Sequence, residues 1–335
     1  MTNAETRLAP AEFNSAELTD LLNREMRKRW SAAAERTEQM AGYALLAPGK
    51  MLRPMLLLAS AEATGGDSTR LMPAALAVEY LHVATLVHDD IIDDDELRRG
   101  RATVHARFGM PDALVAGDFL ILNMVSALLE CEAVPPADVL DAARVLATAG
   151  ADVCRGQVRE AELVGELSCP VEDYREMVAL KTGALFRGAC RAGAILGGAA
   201  AEDVEAATRY AEHLGLGFQI YDDLLPYLAD SPTTGKPSTS DVANLRPTFP
   251  VLVGHQAAGE ADRARFAEAL SGRMPAADAH RLMRELLTST GALELSRKLA
   301  ADEIAQARES IADLPGTAAV ELMLAIAELS IDRNR

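Results

Sequence analysis

Apolar residues recur at helical spacing through almost all of this 335-residue chain, and that pattern leaves few architectures open. Stretch after stretch places them at i, i+3, i+4 and i+7, on one face of a 3.6-residue helix. Ala, Leu, Glu and Arg are abundant, aromatics are 4% of residues, and the alternating β-branched runs of half-buried strands are missing. The spacing predicts helices at about 12–40, 50–64, 69–94, 112–131, 136–165, 171–197, 201–229, 247–270, 276–289, 292–312 and 316–332. Breaks fall at Pro48-Gly49, Gly65-Gly66-Asp67, Pro135-Pro136, Ser168-Cys169-Pro170 and Gly197-Gly198, where helices start or stop. No Pro/Gly/Ser-rich linker divides the pattern. The reading is an all-α chain, one helical domain over 1–335, with residues 1–10 as a flexible tail. The longest irregular stretch, Asp230 to Arg246, is long enough to be a working loop.

A net charge of −17 argues against nucleic acid as a partner, since phosphate backbones need a surplus of Lys and Arg. Any anionic substrate must instead be held by a local cluster of cations working against the overall field. Cys131, Cys154, Cys169 and Cys190 lack C-x-x-C spacing, so each reads as a small buried hydrophobe in a reducing compartment. Met1 to Phe13 has no basic start followed by an apolar core, and no uncharged apolar stretch reaches about 18 residues. The expectation is a cytoplasmic protein without an integral membrane segment.

Two aspartate clusters carry the chemical signal. The apolar run from Leu81 to Val87 leads into His88-Asp89-Asp90-Ile91-Ile92-Asp93-Asp94-Asp95. Asp89 and Asp93 are one turn apart on one helical face, where their repulsion at about 5 Å and an effective dielectric near 20 is roughly 3 kcal/mol. A helix that accepts this cost beside apolar neighbours calls for a cation, and carboxylate oxygens suit Mg²⁺. Phe218-Gln219-Ile220-Tyr221-Asp222-Asp223 repeats the arrangement, and two such clusters can face each other across a bundle. Cations follow each cluster, at Arg98-Arg99 and at Lys236. Lys50 and Arg53 share a face three residues apart, and His82 lies two turns before Asp89. Arg offers forked donors to phosphate and Lys a point charge. Together these residues describe a site for diphosphates bridged by metal ions.

At these residues the chain resembles the trans-isoprenyl diphosphate synthase (polyprenyl synthetase) family. The matching stretches are Gly49-Lys50-Met51-Leu52-Arg53-Pro54, His88 to Asp93 with Leu97-Arg98-Arg99-Gly100, Gly117-Asp118, Lys181-Thr182-Gly183, and Gly217 to Asp223. A looser match continues through Gly235-Lys236-Pro237 and Asp241. The resemblance implies an isoprenoid-synthase helical bundle with a central cavity, a homodimer, and condensation of isopentenyl diphosphate with an allylic diphosphate. It implies Asp89, Asp93 and Asp222 as ligands of Mg²⁺, three ions per site, with Asp90 and Asp223 in support. Arg98, Lys181, Thr182, Gln219 and Lys236 resemble contacts to the allylic diphosphate, and Lys50, Arg53, His82 and Arg99 the isopentenyl diphosphate site. Ala84 stands five residues before the first aspartate, where longer-chain members have a small residue; with Thr85 and Leu81 it is expected to bear on product length.

Three positions depart from the family pattern. Pro226 stands where the second cluster ends in a third aspartate, Pro48 replaces a glycine, and Arg246-Pro247-Thr248 replaces a step that begins with Lys. Pro226 should kink or end its helix one turn after Asp222. Two alternatives stay open at this point: a class I terpene cyclase, which has no use for an isopentenyl diphosphate site, and a non-catalytic partner subunit.

Overall fold

The computed structural model describes residues 15–32, 34–228 and 238–331. Its helices are α1 (Ser15–Trp30), α2 (Arg36–Leu45), α3 (Leu52–Ala63), α4 (Met72–Ile92), α5 (Val104–Phe108), α6 (Met110–Leu129), α7 (Pro136–Leu163), α8 (Val171–Val178), α9 (Ala184–Leu196), α10 (Ala201–Leu224), α11 (Ser240–Ala243), α12 (Phe249–Ala257), α13 (Glu260–Ala269), α14 (Ala276–Ser289), α15 (Ala292–Ser310) and α16 (Thr317–Ile331). A two-stranded hairpin, β1 (Leu97–Arg98) with β2 (Arg101–Ala102), interrupts them. The all-α reading holds, with several corrections to its boundaries.

The stretch expected as one helix over 12–40 is two, because Glu35 and Glu38 form a capping box that starts α2 afresh. The expected 247–270 helix also splits, with Ala258 and Gly259 extended between α12 and α13. A π-helical turn at Ala179–Gly183 divides α8 from α9, where one continuous helix was expected over 171–197. The hairpin and α5 lie in the gap left between 94 and 112. The first part of the stretch expected as a working loop, residues 230–237 with Lys236, lies outside the described residues; the rest includes α11. The expected tail over 1–10 is likewise outside them.

Chain contacts divide the protein into two compact units. The first comprises 1–150, 185–211 and 310–326. Its centre is α4, apolar nearly all round, with Ala74 to Leu81, Val83, Ala84 and Val87 all buried. Small residues let neighbours approach closely: a Cβ on Gly193 of α9 would lie 2.1 Å from the Leu57 carbonyl oxygen of α3. The indole of Trp30, at the end of α1, donates to the Tyr80 hydroxyl at 3.0 Å and packs edge-on against its ring.

The second unit comprises 151–184, 212–309 and 327–335. Its core gathers Tyr174, Ile220, Leu224, Tyr227, Phe249, Leu252, Phe266, Met283 and Leu287. Here α10 ends at Leu224, and Pro226 sits inside a 3-10 turn, Leu225–Tyr227. That turn is fixed by His280, whose Nε2 donates to the Pro226 carbonyl at 2.8 Å while its ring stacks on Tyr227. Of the four cysteines, Cys131, Cys169 and Cys190 are buried as expected, whereas Cys154 is exposed on α7.

Candidate active site

In the first unit, α4 delivers its carboxylates at its C-terminal end. Asp93 is the last-turn cap, its N–H bonded to the Asp89 carbonyl at 2.8 Å, so Asp89 and Asp93 stand one turn apart. Asp90 points the other way, 3% exposed, and accepts from Arg98 Nε. Burial pushes the Asp90 carboxyl up, and Arg98 pulls against it. The same guanidinium places Nη2 at 3.8 Å from Asp89 Oδ2 and from Asp95 Oδ2.

The hairpin sets this arrangement. Arg99 and Gly100, with φ of 52° and 75°, occupy its two central positions, as a two-residue turn matched to strand twist requires. Left-handed backbone costs a non-glycine residue about 1–2 kcal/mol. The turn sends Arg98 toward the aspartates, while Arg99 Nη1 donates to the Pro48 carbonyl at 2.6 Å. Gly49 leaves room for that guanidinium, since a Cβ there would lie 2.7 Å from Arg99 Nη1. The Gly117-Asp118 step also has a geometric reason: a Cβ on Gly117 would lie 2.2 Å from His88 Nε2.

Arg53 and His82 meet across α3 and α4, with Nη1 at 3.2 Å from His82 Nε2. Arginine can only donate, so His82 Nε2 accepts and the imidazole is neutral with its proton on Nδ1. Burial first, then Arg53 and Arg99, hold the His82 pKa well below its ordinary value. Arg53 stacks over the Phe186 ring at 4.4 Å, and burial lowers its pKa only to about 10, so it stays cationic at neutral pH. Lys50 is exposed just ahead of α3. Among the described residues, Arg53 Nε and Arg98 Nη2 are buried without a hydrogen-bond acceptor. Buried cationic donors lacking an acceptor are what a diphosphate would complete.

In the second unit the π-turn presents Lys181 and Thr182. Such turns displace side chains from helical register and are frequent at functional sites. Thr182 Oγ1 donates to Gln219 Oε1 at 2.7 Å, and Gln219 Nε2 donates to Asp223 Oδ1 at 2.8 Å. Asp223 also accepts from the Tyr174 hydroxyl and from the Phe249 N–H (2.9 Å), capping α12 from a neighbouring helix. Burial, then Asp241, push the Asp223 carboxyl up to about 7 despite those donors. Asp223 therefore faces inward, and Asp222 is the half-buried carboxylate of the pair. Lys181 Nζ pairs with Glu160, which also has Arg246 Nη2 at 3.8 Å.

Sequence reasoning missed Glu79, Glu160, Gly156 and Tyr174. Glu79 carried a usable signal, a lone carboxylate in an apolar helix, 4% exposed. The others depend on neighbours distant in sequence. Ala84 is fully buried, Leu81 packs on the surface left by Gly150, and the Thr85 hydroxyl is turned to the His82 carbonyl at 2.7 Å.

The acidic side chains fit a magnesium ion. Mg²⁺ takes one or two carboxylates and completes its octahedron with water and phosphate oxygens, so a pre-formed cage of protein ligands is not required. Among the described residues no three His, Cys, Asp or Glu side chains form such a cage.

The family model described as Polyprenyl synthetase matches residues 34–286. The short chain isoprenyl diphosphate synthase of Methanothermobacter thermautotrophicus is 35% identical over 292 residues, 87% of this chain and 89% of that one. A geranylgeranyl pyrophosphate synthetase from Pyrococcus horikoshii superposes with a TM-score of 0.88 at 32% identity, covering 95% of this chain and 97% of that one. A Caulobacter crescentus polyprenyl synthase complexed with calcium and isoprenyl diphosphate gives 0.86 at 29% identity, with 96% and 97% covered. The chain has the isoprenoid synthase fold and belongs to the polyprenyl synthetase family.

Proposed function

We propose that this chain condenses isopentenyl diphosphate with an allylic diphosphate to make a linear trans-polyprenyl diphosphate of geranylgeranyl length or longer. One observation carries the reading: the first unit holds two separate cationic arrangements. Arg98 is tied to carboxylates, as suits a metal-bridged diphosphate, whereas Arg53 is bonded to His82 and Arg99 to the Pro48 carbonyl, as suits a diphosphate bound without metal. A cyclase of one allylic diphosphate would need only the first.

In this reading Asp89, Asp93 and Asp222 hold Mg²⁺, three ions per site, and Asp90 and Asp223 fix Arg98 and Gln219. Arg98, Lys181, Thr182, Gln219 and Lys236 contact the allylic diphosphate; Lys50, Arg53, His82 and Arg99 hold isopentenyl diphosphate. The bound metal supplies charge neutralisation of the leaving diphosphate. The guanidinium and ammonium groups stabilise the same developing charge, so the allylic C–O bond ionises without a side-chain nucleophile. The isopentenyl double bond, held close, attacks the allylic cation, and a proton then leaves to the departed diphosphate. Product length falls to Ala84, Thr85 and Leu81. The Pyrococcus relative, a geranylgeranyl pyrophosphate synthetase, supports that minimum length.

The working form is a cytoplasmic homodimer. Helix α6 is the one described helix with the length and apolarity to cross a membrane, yet it carries Asp112 and Asp118. It also exposes Leu114, Leu122, Val125 and Leu129 along one stripe. A second copy would cover that stripe, and Leu122→Asp should convert the dimer to monomer in light scattering.

Labelled isopentenyl diphosphate supplied with allylic primers of several lengths tests the activity. Elongated, acid-labile products that require Mg²⁺ and vanish with chelator are expected. Release of a cyclic hydrocarbon, or no incorporation with any primer, would overturn the reading.

A further inference from the structure

Tyr174, on α8, is 3% exposed, and a phenol hydroxyl shut away from water needs a partner. It donates to Asp223 Oδ2, which also accepts from the Phe249 N–H at 2.9 Å. A backbone N–H can only donate, so Oδ2 is an acceptor there. The other carboxylate oxygen, Oδ1, lies 2.8 Å from Gln219 Nε2. A glutamine amide can stand either way round, and its partners decide which. The carboxylate takes the nitrogen, which leaves the amide oxygen for Thr182, whose hydroxyl donates to it at 2.7 Å. One chain of bonds therefore runs from Tyr174 through Asp223 and Gln219 to the π-turn, and each link has a single direction.

We propose that Tyr174 is a positioning residue for the allylic diphosphate site, pinning the Asp223 carboxylate so that the Gln219 amide stands with its nitrogen toward Asp223 and its oxygen toward Thr182. The inference rests on the reading of Gln219 and Thr182 given above. Gln219 Nε2 carries two hydrogens; Asp223 takes one, and the second is the donor offered to a phosphate oxygen. The Thr182 proton is taken by Gln219, so that hydroxyl serves by bracing the amide. Turned over, the amide would set its oxygen against the carboxylate and offer the diphosphate no donor. A tyrosine that only filled space would be replaced without loss by phenylalanine, because the ring, packed against Phe249 with centroids 5.7 Å apart, is retained.

The test uses the full-length protein, with KM measured for the allylic primer and for isopentenyl diphosphate in turn, beside thermal melts by circular dichroism. Tyr174→Phe should raise the primer KM about tenfold, as for one lost bond to a charged acceptor, and leave the isopentenyl diphosphate KM within about twofold. Tyr174→p-aminophenylalanine, a weaker donor on the same ring, should fall between Tyr174→Phe and wild type. Tyr174→Phe combined with Thr182→Val should raise the primer KM no further than the larger single change, because both break one chain. An unchanged primer KM in Tyr174→Phe, with or without a lower Tm, overturns the proposal, as do equal rises for both substrates or a double variant whose effect is the product of the two singles. If Tyr174→Phe does not fold, Tyr174→p-aminophenylalanine decides alone, a selective rise supporting the proposal and no rise overturning it. Thr182→Val serves as reference. If it leaves the primer KM unchanged, the site reading fails and takes this inference with it. If it raises that KM while neither Tyr174 variant does, only the positioning role fails.

Discussion

Gly156→Ala isolates how the π-turn is held. Gly156 lies on α7, and a Cβ added there would sit 2.4 Å from Lys181 N, 2.7 Å from Lys181 Cα and 2.8 Å from Lys181 Cβ. Ordinary contact begins near 3.4 Å, so the shortfall is about 1 Å (3.4 − 2.4). The opposing atoms are backbone and Cβ, so no side-chain rotation relieves the clash. Overpacking of this kind costs about 1–3 kcal/mol. Alanine returns about 1 kcal/mol of helix propensity relative to glycine. The net loss of stability is then about 0–2 kcal/mol, a shift of a few degrees in Tm.

Activity should suffer more. Moving Lys181 and Thr182 by about 1 Å displaces two contacts assigned to the allylic diphosphate, and a misplacement of that size costs about 100-fold in rate. That factor is about 2.7 kcal/mol in the transition state, more than the stability loss. The assay is kcat/KM for the allylic primer at saturating isopentenyl diphosphate, paired with a melt on the same sample. Activity within twofold of wild type would show that the approach of α7 does not set Lys181. A loss no larger than the fraction unfolded would show the same.

Asp89→Ala and Asp93→Ala should each abolish turnover while the helical circular-dichroism signal stays nearly intact, because each removes a carboxylate proposed to hold Mg²⁺ and relieves repulsion of roughly 3 kcal/mol; near-normal turnover refutes the metal assignment. Pro226→Asp should keep or improve the rate, since the contact that fixes its turn is a backbone carbonyl bond to His280 and the side chain at 226 is not needed for it; a tenfold loss of elongation on matched samples refutes this. In the native protein a thiol reagent should modify Cys154 at once and Cys190 only on unfolding, because burial raises the Cys190 thiol to about 12; equal rates, read by mass spectrometry, refute it. Ala84→Phe should shorten the product without much loss of first-step rate, and an unchanged chromatogram of dephosphorylated products refutes the length assignment.

The parts of this site that were legible in the sequence share a physical trait: their cost is local. Asp89 beside Asp93 is unfavourable in any helix, whatever surrounds it, so the pattern announces a cation before the fold is known. Glu79 is costly for the same reason and could have been read the same way, but a lone carboxylate has no like-charged neighbour to draw attention. The split of α1 from α2 was hidden because alanine-rich sequence continues across it and the break comes from Glu35 and Glu38 capping a new helix. Asp222 and Asp223 look interchangeable as letters. Only the donors Tyr174, Gln219 and Phe249, from three separate places in the chain, turn Asp223 inward and leave Asp222 half-buried. Gly156 is the limiting case. In sequence it shows only as a helix-interior glycine, a cost of about 1 kcal/mol with no reason attached. The reason is the backbone of residue 181, which no periodicity over 136–163 can contain.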